Sequence, residues 1–301
     1  MSESPEQLRR KMASAADLQS VVMAMKAQAA ANVGQYLRSV AALADYAHTV
    51  ELGLGACFRQ QQQQPLATVH RPAGPAGAGR FSHAVVFGSD QGLVGRFNET
   101  VVDFAQTALA VQPPGTQLWA VGERMRDTLT EGGMPPRGSF AVPATVQTVS
   151  RLVADILVTV VGSSVLPAEP GAATKLLLFY NRPTTGSAYA PVTQQLLPLD
   201  DAWRQELSRR PWPTPLPAEV IGSVTDTMRA LISEYLFVSI FRASAESLAS
   251  ENASRLAAMD RADRNIDKML LTLHDRFHRL RQSRIDEELS DVISGFKALS
   301  R

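Results

Sequence analysis

The sequence has one cysteine, no long apolar run and almost no net charge. Cys57 is the single cysteine in 301 residues, which excludes an internal disulfide and a cysteine-based metal site and is typical of a reducing compartment. The net charge of +1 and the 20% of charged residues argue against nucleic-acid binding, which needs a concentrated basic face. No run reaches the roughly 18 apolar residues of a membrane-spanning helix, so we expect membrane contact only through a partner.

The first residues also lack the features of a secretory signal. The segment MSESPEQLRRKM at residues 1–12 has no apolar core. The sequence therefore predicts a cytoplasmic protein. Its length allows a substantial core and two structural regions.

Proline is absent from residues 250–299, and Gly295 is the only glycine there. Apolar side chains recur along this segment every three or four residues, and the same stripe begins near Val220. The spacing predicts one helix on the order of 110 Å long at 1.5 Å rise per residue. Its period averages near 3.6, which predicts little supercoiling and no steady heptad.

A second amphipathic helix is predicted from Pro5 to Arg59, with Pro5 and Glu6 at its start. The glycines at 53 and 55 and the glutamine run Gln60–Gln64 predict its end and a surface loop. The segment RPAGPAGAGR at residues 71–80 predicts a flexible connection. Each long helix has an apolar stripe to bury, so we expect the two to pair as an antiparallel coiled coil.

Between these helices the hydrophobic period changes. Apolar runs predict strands at 81–89, 116–122 and 174–181 and an edge strand at 190–199. Helical patterns lie at 98–111, with Asn98 as N-cap, at 122–133 and at 145–162. This alternation predicts a Rossmann-like α/β domain with a largely parallel sheet, inserted between the helices. The predicted divisions are 1–59, the linker 60–80, the α/β domain 81–208 and the C-terminal helix 209–301.

Two motifs could have indicated a ligand. The segment Gly88–Gly95, GSDQGLVG, fits neither G-x-G-x-x-G nor a P-loop, so we interpret Gly92 and Gly95 as residues of a structural turn. His274 and His278 lie four residues apart, but a third metal ligand is not apparent. We predict no catalytic residue, no cofactor and no metal.

Three segments carry a shared pattern. The middle segment reads SDQGLVGRFN at residues 89–98, and Ala24 and Met25 form a pair in the first helix. The C-terminal matches are Ser250, Glu251, Ala253, Arg255, Ala258, Met259, Ala262 and Asn265, followed by Arg281, Gln282, Ile285, Glu288 and Gly295. This set resembles the gamma subunit of F-type ATP synthases, which reads like SD-x-G-L-C-G-x-FN, SE-x-A-x-R-M-x-A-M-x-x-A-x-x-N and RQA-x-I-T-x-E-I-x-E-I-V-x-G-A.

The chain also departs from the family pattern. Val94 replaces the cysteine, Asp260 stands where lysine is frequent, Asp286 where threonine is usual, and Phe296 where the family has a small residue. This combination resembles a divergent bacterial gamma subunit, such as the one encoded with the alternative, often sodium-linked, F-type ATPase.

The resemblance implies a non-catalytic central-stalk rotor that couples ion flow to ATP synthesis or hydrolysis. The implied partners are the α and β subunits, the epsilon subunit and the c-ring, at the cytoplasmic face of the bacterial inner membrane. By the same resemblance, Arg281, Gln282 and Asp286 are expected to contact a loop of the β subunit. Met25, Val292 and Ile293 are expected on the rotor and bearing helices. Because the two apolar stripes have the same period, engineered cysteines on facing positions, for instance near Met25 and around Val292, are expected to crosslink once the register is known.

Two other functions remain open from the sequence. A coiled-coil tether or scaffold with an inserted α/β domain would explain the long helices, but it would be expected to associate with itself through a steady heptad. A small-molecule enzyme would need a pocket with convergent polar and titrating groups, and the sequence offers no such set.

Overall fold

A computed structural model describes residues 4–63, 82–112, 115–162, 175–185, 189–216 and 218–299. The chain divides into two compact units. One unit, the helix-pair unit, contains residues 4–30 and 255–299, and the other, the sheet unit, contains Ala31–Ser254. In chain order the elements are α1 (Pro5–Ala42), α2 (Ala44–Gln63), β1 (Ser82–Phe87), α3 (Phe97–Ala110), β2 (Gln117–Val121), α4 (Glu123–Glu131), β3 (Gly138–Phe140), α5 (Val146–Ile156), β4 (Lys175–Arg182), β5 (Ala190–Leu197), α6 (Asp201–Arg209) and α7 (Val224–Leu299).

The sheet unit contains one five-stranded sheet with the order β3-β2-β1-β4-β5. β1 pairs in parallel with β2 and β4, and β2 pairs in parallel with β3, whereas β5 runs antiparallel at the edge. The interior strand β4, KLLLFYNR, is apolar without alternation over most of its length because both of its faces are covered. The predicted largely parallel sheet with an edge strand near residue 190 is therefore confirmed. The three-residue strand β3 was not predicted, since so short a segment has no detectable period.

Helices cover the sheet on both faces. Ala84, Val86 and Phe179 point to one face, where they pack against α3 and α4. The other face packs against α5 and against α7 residues such as Leu236 and Ile240. Thr145 and Thr148 form a capping box that begins α5, and a π-helical turn at Leu157–Val161 continues it. The core thus lies in two layers, above and below the sheet.

The first long helix differs from its prediction at two places. It is interrupted at Leu43, which separates α1 from α2, and α2 runs on to Gln63, so Gln60–Gln63 are helical and not a loop. The glycines at 53 and 55 do not end the helix. A Cβ atom at Gly55 would lie 2.5 Å from the carbonyl oxygen of Leu207, so glycine there allows α2 and α6 to pack closely. The segment predicted as a flexible connection lies outside the described residues.

The helix-pair unit is an antiparallel pair of segments from α1 and α7. Its buried side chains recur at intervals of seven residues, which are Leu8, Ala15, Val22 and Ala29 on α1 and Met259, Ile266 and Leu273 on α7. The predicted pairing is confirmed, whereas the expected absence of a steady heptad is wrong. Apolar residues on the flanks of the seam blurred the period read from the sequence. The deeply buried positions follow the strict spacing of seven that is typical of a coiled coil.

Candidate functional site

The carboxyl edge of the sheet is the position at which proteins with an open α/β sheet commonly bind ligands. In an open α/β sheet, ligands bind where the strand order reverses, and here that point lies between β1 and β4. The chain itself fills this position. The hydroxyl of Ser250 on α7 donates to the carbonyl oxygen of Asn181 at 2.9 Å. The hydroxyl of Ser254 on α7 donates to the carbonyl oxygen of Val94 at 2.5 Å. A nucleotide at this edge would have to displace α7.

Asp90 occupies the position that a phosphate would take at the start of α4. Its Oδ1 accepts a hydrogen bond from the backbone N–H of Glu123 at 2.9 Å, and its Oδ2 accepts one from Val142 at 3.2 Å. A helix N-terminus attracts anions because its N–H groups and dipole point outward. Asp90 therefore serves as a built-in anion that ties the loop after β1 to α4 and to the segment after β3.

The loop after β1 is also held by Asn98. Its amide oxygen accepts from the backbone N–H of Ser89 at 3.1 Å, and its amide nitrogen donates to the Ser89 hydroxyl at 2.9 Å. The prediction that Asn98 caps α3 is wrong, because α3 begins at Phe97 and Arg96 occupies the cap position. The Asn98 side chain is buried and is used across the loop instead.

The two glycines predicted as a structural turn lie in this loop. Gly95 has φ +61°, in the left-handed region that favours glycine. At Gly92 a Cβ atom would meet nothing within 4 Å, and the other left-handed residue of the loop is Leu93, with φ +63° and 61% of its surface exposed. The left-handed backbone conformation expected at Gly92 is therefore adopted by Leu93.

Tyr180 on β4 is a fully buried phenol next to the ion pair of Arg182 and Glu246. Burial raises the pKa of its phenol to about 12, and the nearby Glu246 carboxylate acts in the same direction. Arg182 donates to the phenol oxygen and to Glu246 Oε2, the latter at 2.9 Å. This network joins the end of β4 to α7.

The raised pKa makes a testable contribution to stability. The unfolded phenol ionises near pH 10, whereas the folded one stays neutral to about pH 12. This part of the stability is therefore complete below pH 10 and is lost as the pH rises to about 12, by about 2–3 kcal/mol. Denaturant unfolding at pH 9 and pH 11.5 should show a smaller loss in Tyr180→Phe than in the parent chain. An equal loss in both would contradict this assignment.

Polar side chains face each other across the helix-pair unit. The Lys26 ammonium pairs with Asp260 and lies 3.8 Å from Asp263. The amide nitrogen of Gln19 donates to Asp263 at 3.2 Å and to Asp267 at 2.6 Å. The ion pair raises the pKa of Lys26 and lowers that of Asp260. Of these residues only Asp260 was noted from the sequence, as a departure from the family pattern. The spacing of seven between Gln19 and Lys26 could have indicated two polar positions on one face of α1.

The pairing of the two helices ends before α7 does. The guanidinium of Arg9 lies over the ring of Phe277 at 5.2 Å, and α1 begins at Pro5. Every residue from 281 to 296 is exposed. This bare segment carries all the predicted β-subunit contacts, Arg281, Gln282 and Asp286, together with the predicted bearing residues Val292 and Ile293.

The bare segment is amphipathic. At about 100° per residue, its apolar side chains share one face with the three predicted contact residues, within an arc of about 140°. The opposite face carries charged and hydroxyl side chains together with Gly295. The apolar members are Ile285, Leu289, Val292, Ile293 and Phe296, between 44% and 75% exposed.

Met25 does not lie near Val292, and the expected crosslink between them is wrong. Met25 packs with Met259 and Ile266 in the seam of the helix pair. Val292 follows Met259 by 33 residues, or about 50 Å of helix at 1.5 Å per residue. Equal stripes on both helices indicated pairing but did not fix which residues face each other.

Neither a membrane span nor a metal cluster is found in the described ranges. Within residues 4–299, gaps excepted, no helix is long and apolar enough to cross a bilayer. In the same ranges no three His, Cys, Asp or Glu side chains are placed to hold a metal ion, and His274 and His278 belong to no such group.

Comparisons with known proteins agree along nearly the whole chain. The sequence model of the ATP synthase family matches residues 4–299. The ATP synthase gamma chain of Syntrophus aciditrophicus (strain SB) is 30% identical over 226 residues, covering 72% of this chain and 73% of its own. That of Moorella thermoacetica is 27% identical over 298 residues, covering 97% and 98%.

Solved structures share the fold. A chain from the central stalk and c-ring of the Tetrahymena thermophila mitochondrial ATP synthase superposes with a TM-score of 0.54 at 21% identity, covering 80% of this chain and 99% of its own. A chain of the Euglena gracilis mitochondrial ATP synthase gives 0.56 at 16% identity, covering 98% and 94%. The long terminal helices with an inserted α/β sheet are thus an arrangement known from ATP synthase stalks.

Proposed function

The chain belongs to the ATP synthase gamma chain family, and from that premise we propose that it is the central-stalk rotor of an F-type ATP synthase. The bare, amphipathic end of α7 is the observation that carries this proposal. Five large apolar side chains stand exposed on one face of the α7 segment 281–296, which packs against no other part of the chain that the structure describes. A rotor that enters the ring of α and β subunits needs such a face at its tip.

The rotor works by asymmetry and stiffness. A rod with one apolar face and one charged face touches each β subunit of a pseudo-symmetric ring differently, so each angle of rotation stabilises a different conformation of the nucleotide sites. The coiled-coil seam supplies stiffness. The chain's own role is non-catalytic, which the filled carboxyl edge of its sheet supports.

The sheet unit is the part proposed to meet the epsilon subunit and the c-ring. This assignment places the chain at the cytoplasmic face of the bacterial inner membrane, held there through the complex. Co-purification tests the function, because a rotor is expected to co-purify with α and β subunits of the ATP synthase. A tether would come down with copies of itself, although its expected homodimer seam is already used within this chain.

We propose that Arg281, Gln282 and Asp286 contact a loop of the β subunit, with Arg281 as the strongest contact. A guanidinium makes charge-assisted, often bidentate, hydrogen bonds to a carboxylate, worth about 1.5–3 kcal/mol when partly desolvated. Arg281→Ala should therefore lower coupled ATP synthesis and hydrolysis of the assembled complex by about tenfold or more, since 1.4 kcal/mol corresponds to a factor of ten.

The matched control is Lys268→Ala, an exposed cation on the same helix, before the bare segment. It should leave both rates unchanged. Incorporation of both variants into the complex, measured by subunit stoichiometry, separates a contact from an assembly defect. Equal rates in the two variants would contradict the proposed contact.

A further inference from the structure

We propose that five polar side chains fix how α1 and α7 align along their common axis. This register key consists of Gln19 and Lys26 on α1 and of Asp260, Asp263 and Asp267 on α7. Its mechanical consequence rests on the proposed rotor function, because only a rotor must carry torque through this pair. The key itself is a property of the isolated chain.

The first observation is the position of these polar side chains. On α1 the deeply buried residues recur every seven, and the half-buried Gln19 and Lys26 lie four residues after Ala15 and Val22. On α7 the half-buried Asp263 lies four residues after Met259. These are the alternate seam positions of a heptad, where a polar residue specifies register at a cost in stability.

The second observation is that the apolar seam by itself selects its register weakly. Its α1 side consists of Leu8, Ala15, Val22 and Ala29, and its partners include Met259, Ile266 and the partly buried alanines 258 and 262. After a slide of one heptad, aliphatic side chains would again lie opposite aliphatic side chains along this seam, so apolar contact alone discriminates weakly between the two registers. A slide of that size moves one helix by about 10.5 Å.

The polar contacts, in contrast, distinguish the registers. Asp260, Asp263 and Asp267 lie on one face of α7, and like charges at such spacing repel. Lys26 contacts the first two, and Gln19 contacts the last two. Of the other cations nearby, Arg264 donates from Nε to the backbone oxygen of Asp260.

A one-heptad slide in either direction breaks this set. In one direction it would carry Lys26 beyond all three aspartates, and in the other it would move Lys26 opposite Asp267 and leave Asp260 and Asp263 without Lys26 or Gln19. The native alignment is the one that gives each aspartate a polar partner from α1. In the complex, that alignment would set the height at which the bare segment of α7 leaves the pair.

The test measures register directly. Ala13→Cys and Lys268→Cys, at two exposed positions, are introduced into the full chain in a Cys57→Ala background, and both cysteines are spin-labelled. The distance between the two labels is measured by pulsed electron paramagnetic resonance. The parent is expected to give one narrow distance. Gln19→Leu/Lys26→Leu should add a second population displaced by about 10 Å along the axis, because this variant keeps an apolar seam and removes the α1 partners of the three aspartates.

Met12→Leu is the matched control, since it changes a half-buried apolar residue of α1 and should keep the single distance. A single narrow distance in the double leucine variant would overturn the key. A second pair of variants tests the charges: Lys26→Asp should broaden the distribution, and adding Asp260→Lys should restore it. Failure of the second change to restore one distance would overturn the role of the ion pair.

These outcomes are separate from the proposed function. A parent chain that does not co-purify with α and β subunits would remove the rotor assignment, whereas the distances measured in the free chain would still decide the key.

Discussion

Gly122→Ala is expected to lower the free energy of unfolding of the sheet unit by about 4 kcal/mol. Gly122 follows β2 with φ +108°, a conformation that side chains with a Cβ atom rarely adopt. An added Cβ atom would also lie 2.5 Å from the carbonyl oxygen of Ser89, a backbone atom that cannot move aside by rotation. Strained backbone costs about 1–3 kcal/mol and overpacking a further 1–3 kcal/mol. Denaturant unfolding of the full chain, followed by circular dichroism, measures the loss.

Gly133→Ala is the matched control because it has φ +76° and no atom within 4 Å of an added Cβ. It keeps the conformational cost and removes the clash, so we expect a loss of about 1–2 kcal/mol. Similar losses in both variants would show that the contact with Ser89 is not tight and that the loop after β1 can yield.

The elements that the sequence predicted well are those with a long or sharp period. The helical stripe after residue 250 buries one face as far as Leu273, and the apolar runs that became β1 and β4 are buried over almost their whole length. Burial of that kind is visible in the sequence because it dictates which positions are apolar. The largely parallel pairing of the strands followed from the alternation of strands and helices.

The features that the sequence did not reveal depend on contacts between distant segments. The interruption at Leu43 has no proline or glycine to indicate it, and Asp90 acts on residues 33 and 52 positions away. The alignment of α1 with α7 was missed for the same reason, since two stripes of equal period can pair in several registers. The ion pair of Lys26 with Asp260 and the ring of Phe277 beneath Arg9 decide which residues meet.

The candidate site was predicted in part. The resemblance directed attention to Arg281, Gln282 and Asp286, and the structure places all three on an exposed helix, on the face shared with Val292 and Ile293. Their contact with a β subunit stays a proposal, because a surface residue reveals its partner only in the complex. Asp90, the aspartate of the SDQG segment, has its hydrogen-bond partners Glu123 and Val142 within this chain.

That aspartate should be the second most sensitive position in the sheet unit. Asp90→Ala leaves the backbone N–H groups of Glu123 and Val142 without their acceptor and removes the negative charge at the start of α4. Loss of a helix cap costs about 0.5–2 kcal/mol and loss of a charged hydrogen bond about 1.5–3 kcal/mol. The expected decrease in the free energy of unfolding is about 3 kcal/mol, and Asp90→Asn, which keeps one acceptor oxygen, should lose less.

The vacated position offers a further check, because a small carboxylate can replace the missing one. Formate or acetate should raise the midpoint of Asp90→Ala in denaturant while leaving the parent chain unchanged, since free anions are attracted to an uncapped helix N-terminus. Asp103→Ala is the matched control: this exposed aspartate of α3 pairs with Arg96 at 3.5 Å, a surface ion pair of little expected energy. If Asp90→Ala is no less stable than Asp103→Ala, and formate stabilises neither, the built-in anion at α4 does not hold the carboxyl edge of the sheet together.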